Sequence, residues 1–304
     1  MKSKLRIVSR SSKLALKQVE IICKKIKHRF DFEIIKVQTQ ADKLREKPLY
    51  EFGGKGLFIK ELEDYLIKDK ADIAIHSLKD METILAKGTE LLAVAERKYR
   101  NDVLISNFKN LSSLPENSVI GTSSPRRTAF IKTYRKDIIV KICRGNVDTR
   151  LKKLHQGRYY ALILSRAGME RLNHKFTSEI PISILPPSVG QGVIAIQSSN
   201  FLNEQDSNIL QKLINHEKTY YEILAERSFI KHLNGSCRSP ISSLADINKN
   251  GVLKLQGYVV NLKGTKMVKG SLSDNFKNAI NIGEKLAKKL IKKGAKDILA
   301  LKKS

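Results

Sequence analysis

The order of the apolar segments constrains the fold of this chain most. Short apolar runs that predict strands alternate with stretches that predict helices: a strand over 5–9, a helix over about 13–28, a second strand over 32–39, a helix after 56 and a third strand that opens at Asp72. In the first of these helices the apolar residues recur at helical spacing. Strand–helix–strand–helix–strand order indicates a parallel sheet, because parallel strands need long crossover connections.

A second group of segments repeats this order. Strands are predicted over 119–120, 138–142 and 161–164, and Pro125 suits the first turn of a helix that Ser124 caps. The strand predicted over 193–197 follows a crossover at 186–192, and we expect it to return to the first group.

The remaining residues predict an α+β unit. Two helices, over about 209–215 and 217–233, precede strand–turn–strand patterns with an Asn250-Gly251 hairpin turn, and a final helix spans about 275–293 and ends at Gly294.

One strand end carries three polar side chains of different chemistry. Asp72-Ile73-Ala74-Ile75-His76-Ser77-Leu78-Lys79-Asp80 opens as a buried strand and closes on a hydroxyl, an ammonium and a carboxylate. Ligands of open α/β sheets bind where strands end at their carboxyl side. Ser77, Lys79 and Asp80 are therefore candidates for a ligand crevice, although a solvated strand end fits the same pattern.

Several arginines follow strands in polar, glycine-bearing loops. Gly121-Thr122-Ser123-Ser124-Pro125-Arg126-Arg127 sits at a helix start, Arg144 and Arg150 come after the next strand, and Arg171 comes after the third. Because guanidinium forks bind planar carboxylates in bidentate fashion, this repetition predicts a small polyanionic ligand. For the stretch that ends at Arg127, an ordinary capped helix with basic residues is the plain alternative. Gly53-Gly54-Lys55-Gly56 could present N–H groups to an anion, but its spacing is not that of a P-loop.

The excess of basic residues raises a second class of function, nucleic-acid binding. Lys and Arg number 57 against 30 acidic residues, a formal net charge of +27, which could indicate nucleic-acid binding. The lysines, however, are scattered through every region, as a lysine-biased genome would produce. No helix-turn-helix, zinc-ligand or aromatic stacking pattern supports a nucleic-acid partner.

We expect a cytoplasmic monomer with neither a nucleic acid nor a membrane as partner. The sequence begins without an apolar signal region, no stretch approaches a membrane span, and three cysteines do not make a disulfide framework. Cys23 belongs to a helical apolar stripe and Cys143 follows a strand, so both have packing explanations. Cys237 lies in a glycine- and proline-flanked loop beside Arg238, where it could be a nucleophile, a covalent attachment point or an incidental loop cysteine.

Six motifs occur in one order along the chain: Gly53-Gly54-Lys55-Gly56-Leu57-Phe58, His76-Ser77-Leu78-Lys79-Asp80, Gly121-Thr122-Ser123-Ser124 with Arg126-Arg127, Arg144-Gly145-Asn146-Val147, Val189-Gly190-Gln191-Gly192 and Gly235-Ser236-Cys237. Together they resemble the porphobilinogen deaminase family, whose members are also called hydroxymethylbilane synthases, over essentially the whole chain.

The resemblance implies an α/β fold with two periplasmic-binding-protein-like α/β domains around a cleft and a smaller C-terminal α+β domain. On this chain we place the first domain at 1–97 with 194–214, the second at 98–193, and the third, which carries the cofactor cysteine, at 215–304.

The resemblance also implies the activity. Four porphobilinogen molecules are deaminated and joined head to tail on a dipyrromethane cofactor, which is bound by a thioether to Cys237, and water then releases hydroxymethylbilane for porphyrin (haem) biosynthesis. No metal is implied. Asp80 is by resemblance the catalytic carboxylate that stabilises positive charge at pyrrole nitrogens. The expected cofactor- and substrate-binding residues are Arg10, Ser12, Lys55, Ser77, Lys79, Thr122, Ser123, Ser124, Arg126, Arg127, Arg144, Gly145, Arg150, Arg171 and Gln191.

The chain departs from the family at several positions. Glu51 stands where many members have lysine, Lys98-Tyr99 replaces a usual Asp-Pro, and Arg238-Ser239 follows Cys237 where Gln-Val is commoner. None of these changes removes a group that the chemistry needs. A non-catalytic solute-binding protein is the other alternative, and the predicted third domain argues against it.

Overall fold

The computed structural model describes residues 3–39, 59–236 and 239–300, which form two compact units. The first unit is drawn from residues up to Lys98 and from Gly192–Tyr220, and the second from Tyr99–Gln191 and from Tyr221 onward. Within the described residues no helix is both long and apolar enough to cross a membrane.

The strands are β1 (Ser3–Arg10), β2 (Phe30–Val37), β3 (Ile73–Ser77), β4 (Thr89–Val94), β5 (Asp102–Ser106), β6 (Val119–Gly121), β7 (Ile139–Lys141), β8 (Ala161–Ser165), β9 (Ser178–Glu179), β10 (Ile194–Ser199), β11 (Ile241–Ile247), β12 (Val252–Val260) and β13 (Met267–Asn275). The helices are α1 (Lys13–Ile26), α2 (Lys60–Ile67), α3 (Pro125–Tyr134), α4 (Val147–His155), α5 (Arg166–Arg171), α6 (Glu204–Ile214), α7 (Glu217–His232), α8 (Ala279–Lys292) and α9 (Ala295–Ala300), with short 3-10 turns at Leu78–Asp80 and Phe276–Asn278.

The first unit is built on a sheet of order β2-β1-β3-β10-β4. Strand β1 runs parallel to β2 and β3, and β10 runs antiparallel to β3 and β4. Residues of α1 and α6, such as Ile22 and Leu210, form the core on one face of this sheet. Leu62 and Leu66 of α2 pack with Ala74 in a second apolar cluster. Ser12 begins α1 because its Oγ accepts a hydrogen bond from Ala15 N at 3.3 Å.

The second unit contains two sheets. The larger has the order β7-β6-β8-β5-β9, with β6 parallel to β7 and β8, and β5 antiparallel to β8 and β9. The smaller is the antiparallel sheet β11-β12-β13, whose apolar face packs with α7, α8 and α9 around Phe229 and Leu286. Fully burying side chains of this size stabilises a fold by about 1.5–3 kcal/mol each.

The sheets confirm the predicted fold class of α/β sheets with a smaller α+β part. The returning strand is also confirmed, since β10 lies between β3 and β4. One expectation needs correction. The helix that ends before Gly294 is not the last, because the chain turns at this residue (φ +87°) and begins α9 at Ala295. Strands β4, β5 and β9 were not predicted from the sequence. The three-domain division stays a prediction.

Candidate active site

The predicted ligand residues of the first unit lie at one edge of its sheet. Because β1 and β3 are parallel neighbours, their carboxyl ends meet at the same edge. Arg10 is the last residue of β1, and Ser77 is the last residue of β3. The 3-10 turn after β3 then carries Lys79 and Asp80.

A cavity of about 50 Å³ opens at this edge. Four of the predicted residues line it together with apolar and polar neighbours; the four are Arg10, Ser12, Ser77 and Asp80. Lys79 is half-buried in the same turn but does not line the cavity. Lys55 lies outside the described residues. The structure therefore brings a carboxylate, a guanidinium and two hydroxyls to one small space.

Two further side chains line this cavity that the sequence did not single out as ligands. Gln18, only 2% exposed, donates from Nε2 to Ser77 Oγ at 2.7 Å. His76 is buried, and burial lowers its pKa to about 4, so the imidazole is neutral at pH 7. The sequence did contain a signal for Gln18. It is a polar residue on the otherwise apolar face of α1, and a buried amide needs a hydrogen-bond partner.

In the second unit, three strand ends bring most of the other predicted residues to one edge. Strands β7, β6 and β8 are parallel, so the loops after them are neighbours. Ser123 Oγ donates to Cys143 O at 2.6 Å, which joins the loop after β6 to the loop after β7. Thr122 is buried, and Ser124 caps α3 by accepting from Arg127 N.

The paired arginines of α3 are buried against one carboxylate. Arg126 Nη2 lies 2.5 Å from Asp102 Oδ2, and Arg127 Nη2 lies 2.7 Å from Asp102 Oδ1. Their other terminal nitrogens donate to backbone oxygens, Arg126 Nη1 to Pro186 O at 2.5 Å and Arg127 Nη1 to Ile163 O at 2.8 Å. Asp102 opens β5 and is fully buried. Asp102 was not predicted as a site residue, because neither β5 nor its register was predicted.

Opposing effects set the protonation state of Asp102. Burial acts to raise the pKa of this carboxyl, but the charges of Arg126 and Arg127 outweigh burial and hold the pKa well below its usual range. Asp102 is therefore ionised at neutral pH. One negative and two positive charges leave the buried group with a net charge of +1.

Gln191 reaches the same carboxylate from the crossover that precedes β10. Its Nε2 donates to Arg100 O at 2.8 Å and to Asp102 Oδ1 at 3.1 Å, while its Oε1 is buried and has no partner among the described residues. The preceding Gly190 N donates to Glu226 Oε2 at 2.9 Å.

The loop after β7 presents a different arrangement. Gly145 has φ +116°, a backbone region that favours glycine, and its carbonyl accepts from Arg150 Nε at 2.8 Å. Burial lowers the pKa of Arg144, whose Nη1 is buried without a partner in the described part of the chain. Burial likewise lowers the pKa of Arg171 to about 10, which still leaves it charged at pH 7.

Cys237 lies outside the described residues. It falls in the connection between α7, which ends at His232, and β11, which begins at Ile241. The two described cysteines, Cys23 and Cys143, are both free and buried. Burial raises the pKa of Cys23 to about 11, which disfavours its reactive thiolate at neutral pH.

Two family models match this chain. The model described as "Porphobilinogen deaminase, dipyromethane cofactor binding domain" matches residues 5–208, and that described as "Porphobilinogen deaminase, C-terminal domain" matches residues 220–292.

Curated relatives carry the same name. Porphobilinogen deaminase of Buchnera aphidicola subsp. Acyrthosiphon pisum (strain Tuc7) is 40% identical, covering 97% of this chain and 95% of its own. That of Lawsonia intracellularis is 37% identical over 98% and 97%. That of Rickettsia prowazekii is 38% identical over 96% and 99%.

Two solved structures show a distant likeness to this chain. A putative methionine-binding lipoprotein of Bacillus subtilis has a TM-score of 0.44 at 9% identity and covers 72% of this chain and 94% of its own. A periplasmic sulfonate-binding protein of Methylobacillus flagellatus has a TM-score of 0.40 at 13% identity, covering 77% and 68%.

Proposed function

This chain belongs to the porphobilinogen deaminase family, and from that premise we propose how its own residues carry out the reaction. The chain is a transferase of porphyrin biosynthesis, a hydroxymethylbilane synthase. It joins four porphobilinogen molecules head to tail with loss of ammonia, and water releases the product. Each porphobilinogen carries an acetate and a propionate, so the site must bind carboxylates and stabilise a cation.

The second unit has the donors that a dipyrromethane cofactor requires. It holds buried polar atoms without partners among the described residues: the donors Arg126 Nε, Arg127 Nε and Arg144 Nη1, and the acceptor Gln191 Oε1. A buried polar atom without a partner is rare in native proteins, so each of these atoms calls for a ligand or a water molecule. Guanidinium donors suit the carboxylates of a pyrrole chain, so the residues fit the cofactor.

When bound, the dipyrromethane supplies the pyrrole position to which the first porphobilinogen is joined. In the proposed arrangement Cys237 holds it by a thioether. The cofactor- and chain-binding residues of this unit are Thr122, Ser123, Ser124, Arg126, Arg127, Arg144, Gly145, Arg150, Arg171 and Gln191. The guanidinium groups grip carboxylates, while the hydroxyl and amide groups orient the chain.

Asp80 is the proposed catalytic residue. Loss of ammonia leaves positive charge on the substrate, and a carboxylate beside the pyrrole nitrogens lowers the energy of that cation. The observation that carries this assignment is the cavity at the ends of β1 and β3, where Asp80 lines one space with Arg10, Ser12 and Ser77. Asp80 would accept hydrogen bonds from pyrrole N–H groups and take part in proton transfer.

The neighbours of Asp80 bind the substrate in this proposal. Arg10, with Lys55 and Lys79, pairs with substrate carboxylates, and the Ser12 and Ser77 hydroxyls add polar contacts. Ser77 is held in place by Gln18, which donates to its Oγ at 2.7 Å. The guanidinium and the carboxylate that line one cavity can thus address opposite charges on the same substrate.

An activity measurement on one variant tests the assignment of Asp80. Porphobilinogen consumption and hydroxymethylbilane formation are measured for the wild type, for Asp80→Asn and for Asp31→Asn, an exposed aspartate of β2 that serves as the control. We expect the rate of Asp80→Asn to fall by about 10²-fold or more with an unchanged fold, since removing one electrostatic stabiliser costs that much. A folded Asp80→Asn variant with the wild-type rate would remove Asp80 from this role.

We also propose that the enzyme acts as a cytoplasmic monomer. Its first domain comprises residues 1–97 and 194–214, its second 98–193 and its third 215–304. Separate sheets in these three stretches support the division. Dispersal of the lysines along the sequence supports the absence of a nucleic-acid partner. Light scattering on the purified protein measures the oligomeric state, and a dimer mass would contradict the proposal.

A further inference from the structure

Asp102 is the point at which three separate segments of the second unit meet. Its Oδ2 accepts from Arg126, and its Oδ1 accepts from Arg127 and from Gln191 Nε2. Asp102 is 0% exposed, and Arg126 and Arg127 are 3% and 6% exposed. The carboxylate thus makes charge-assisted bonds in a region from which water is excluded, where such bonds are strong.

Adjacent arginines on a helix do not meet by themselves. Arg126 and Arg127 are the second and third residues of α3, and side chains at successive helical positions point about 100° apart. Two guanidinium charges also repel each other, more strongly when buried. A shared carboxylate between them is what can hold both groups in one place.

The arginines still have donors to offer. Nε of Arg126 and Nε of Arg127 are buried with no hydrogen-bond partner in the described ranges. The group made by these two residues and Asp102 has a net charge of +1, which one further carboxylate would neutralise. Unpartnered buried donors and an uncompensated charge are both observations that point to an anionic ligand.

We propose that Asp102 is a positioning residue of the reaction, which holds Arg126 and Arg127 as one preformed site for a single carboxylate of the bound pyrrole chain. This inference rests on the proposed function, because that function supplies the carboxylate. Asp102 itself touches no substrate; it acts through the two arginines.

The position of Asp102 is tied to the smaller sheet by buried contacts. Glu226 of α7 accepts from Ala245 N of β11 at 3.1 Å and from Gly190 N at 2.9 Å, and the next residue, Gln191, donates to Asp102. Arg126 Nη1 and Ser242 Oγ both donate to Pro186 O. These hydrogen bonds connect the arginine pair to β11, the strand that follows the Cys237 loop.

A purely structural ion group is the competing explanation, and it makes different predictions. If Asp102 only stabilised the fold, its loss would lower the amount of active protein and hence the apparent kcat, while the chain lengths found on the enzyme stayed the same. A residue that positions the carboxylates of the covalently held chain instead acts on elongation, so its loss slows turnover of cofactor-loaded protein and makes incomplete chains accumulate on it.

The test compares Asp102→Asn and Asp102→Glu with the wild type. Asp137→Asn is the matched control, because Asp137 also holds an arginine, Arg135, at 2.5 and 2.8 Å but on the surface. Steady-state kinetics with porphobilinogen are measured on protein whose intact mass includes the covalent cofactor. The arginine Nε–H resonances, assigned with Arg126→Lys and Arg127→Lys, are recorded by NMR with their rates of exchange with water.

We expect the turnover rate of cofactor-loaded Asp102→Asn to fall by about 10- to 100-fold, with incomplete chains accumulating in native mass spectra, because misplaced binding groups slow elongation. Asp102→Glu, which keeps the charge, should recover part of the loss, and Asp137→Asn should match the wild type. The two Nε–H groups should exchange slowly in the wild type and faster in Asp102→Asn.

Three results would overturn the proposal: a wild-type turnover rate and a wild-type set of intermediates in cofactor-loaded Asp102→Asn, Nε–H exchange that does not respond to this substitution, or fast exchange in the wild type. The wild-type exchange rate tests the proposal even if Asp102→Asn does not fold. The same measurements separate the proposed function from the role of Asp102. Wild-type protein that consumes no porphobilinogen would contradict the proposed function, while its Nε–H exchange rates would still show whether Asp102 holds the arginines.

Discussion

Gln18 Nε2 donates a 2.7 Å hydrogen bond to Ser77 Oγ, although 59 residues separate the two in the chain. The bond joins the buried face of α1 to the end of β3, two residues before Lys79 and three before Asp80. It explains why a polar residue occupies an otherwise apolar helix stripe.

Gln18→Leu should slow the enzyme more than it destabilises the fold. The substitution removes one donor from the wall of the Asp80 cavity, so we expect the rate to fall by about 10-fold through loss of substrate orientation. The free energy of unfolding should change by only about 1 kcal/mol, the typical net value of a hydrogen bond. Gln211→Leu on the exposed side of α6 is the control. Equal rates for the two variants would contradict a role for Gln18 in the cavity.

The buried His76 should make stability depend on pH. Its pKa is about 4 in the folded state, because burial disfavours the charged form, against 6.5 without burial. Between these values the unfolded chain binds the proton more readily, so stability is complete above pH 6.5 and is lost as the pH falls to 4. The loss amounts to about 3 kcal/mol.

Urea unfolding at pH 7 and pH 5 measures the larger part of this loss, about 2 kcal/mol. His76→Gln, which cannot titrate, should be less sensitive to pH than the wild type over this range, and His28→Gln, an exposed control on the same unit, should behave as the wild type does. A wild-type protein and a His76→Gln variant with the same pH dependence would show that His76 does not titrate in this way.

The arginines of the second unit should fall into two classes when substituted. We expect Gln substitutions at Arg126, Arg127, Arg144 and Arg150 to stall chain growth or block cofactor assembly, because each removes a carboxylate ligand. Arg126→Gln and Arg127→Gln should also cost stability, about 1.5–3 kcal/mol, since each removes a charge-assisted hydrogen bond from the buried Asp102 carboxylate, which keeps the other arginine as its partner.

Native mass spectrometry with porphobilinogen identifies the stalled intermediates, and thermal unfolding separates the two classes. Arg158→Gln, at an exposed position after α4, is the control. If all four variants accumulated the wild-type set of intermediates, the arginines would not be carboxylate ligands.

Cys237→Ser should give a folded but inactive protein. A thioether holds the growing chain through repeated couplings, and the last bond to break must lie between pyrroles so that the cofactor stays on the enzyme. The variant should lack both the added mass and the purple-red colour with acidic aldehyde reagent. Peptide mapping is the deciding measurement: active enzyme with an unmodified Cys237 peptide, or with an adduct on Cys23 or Cys143, excludes the assignment.

Local patterns in the sequence were enough to predict much of the fold. Apolar runs and helical spacing predicted β1, α1 and β3, and a hydroxyl before Pro125 predicted the start of α3. These features depend on neighbours within a few residues, so the sequence contains their physical cause. The motif order likewise led to the family, and the strand ends led to Asp80 and the arginines as candidates.

What the sequence alone could not determine are the pairings between distant residues. Asp102 lies 24 residues before Arg126 and 89 before Gln191, and these groups meet only because β5 runs antiparallel to β8 and begins at the edge where β6 and β8 end. Gln18 and Ser77 meet for the same kind of reason. The sequence therefore determined which side chains could bind carboxylates, and the tertiary structure decided which of them are already paired, because strand order and register set the distances over which charges and hydrogen bonds act.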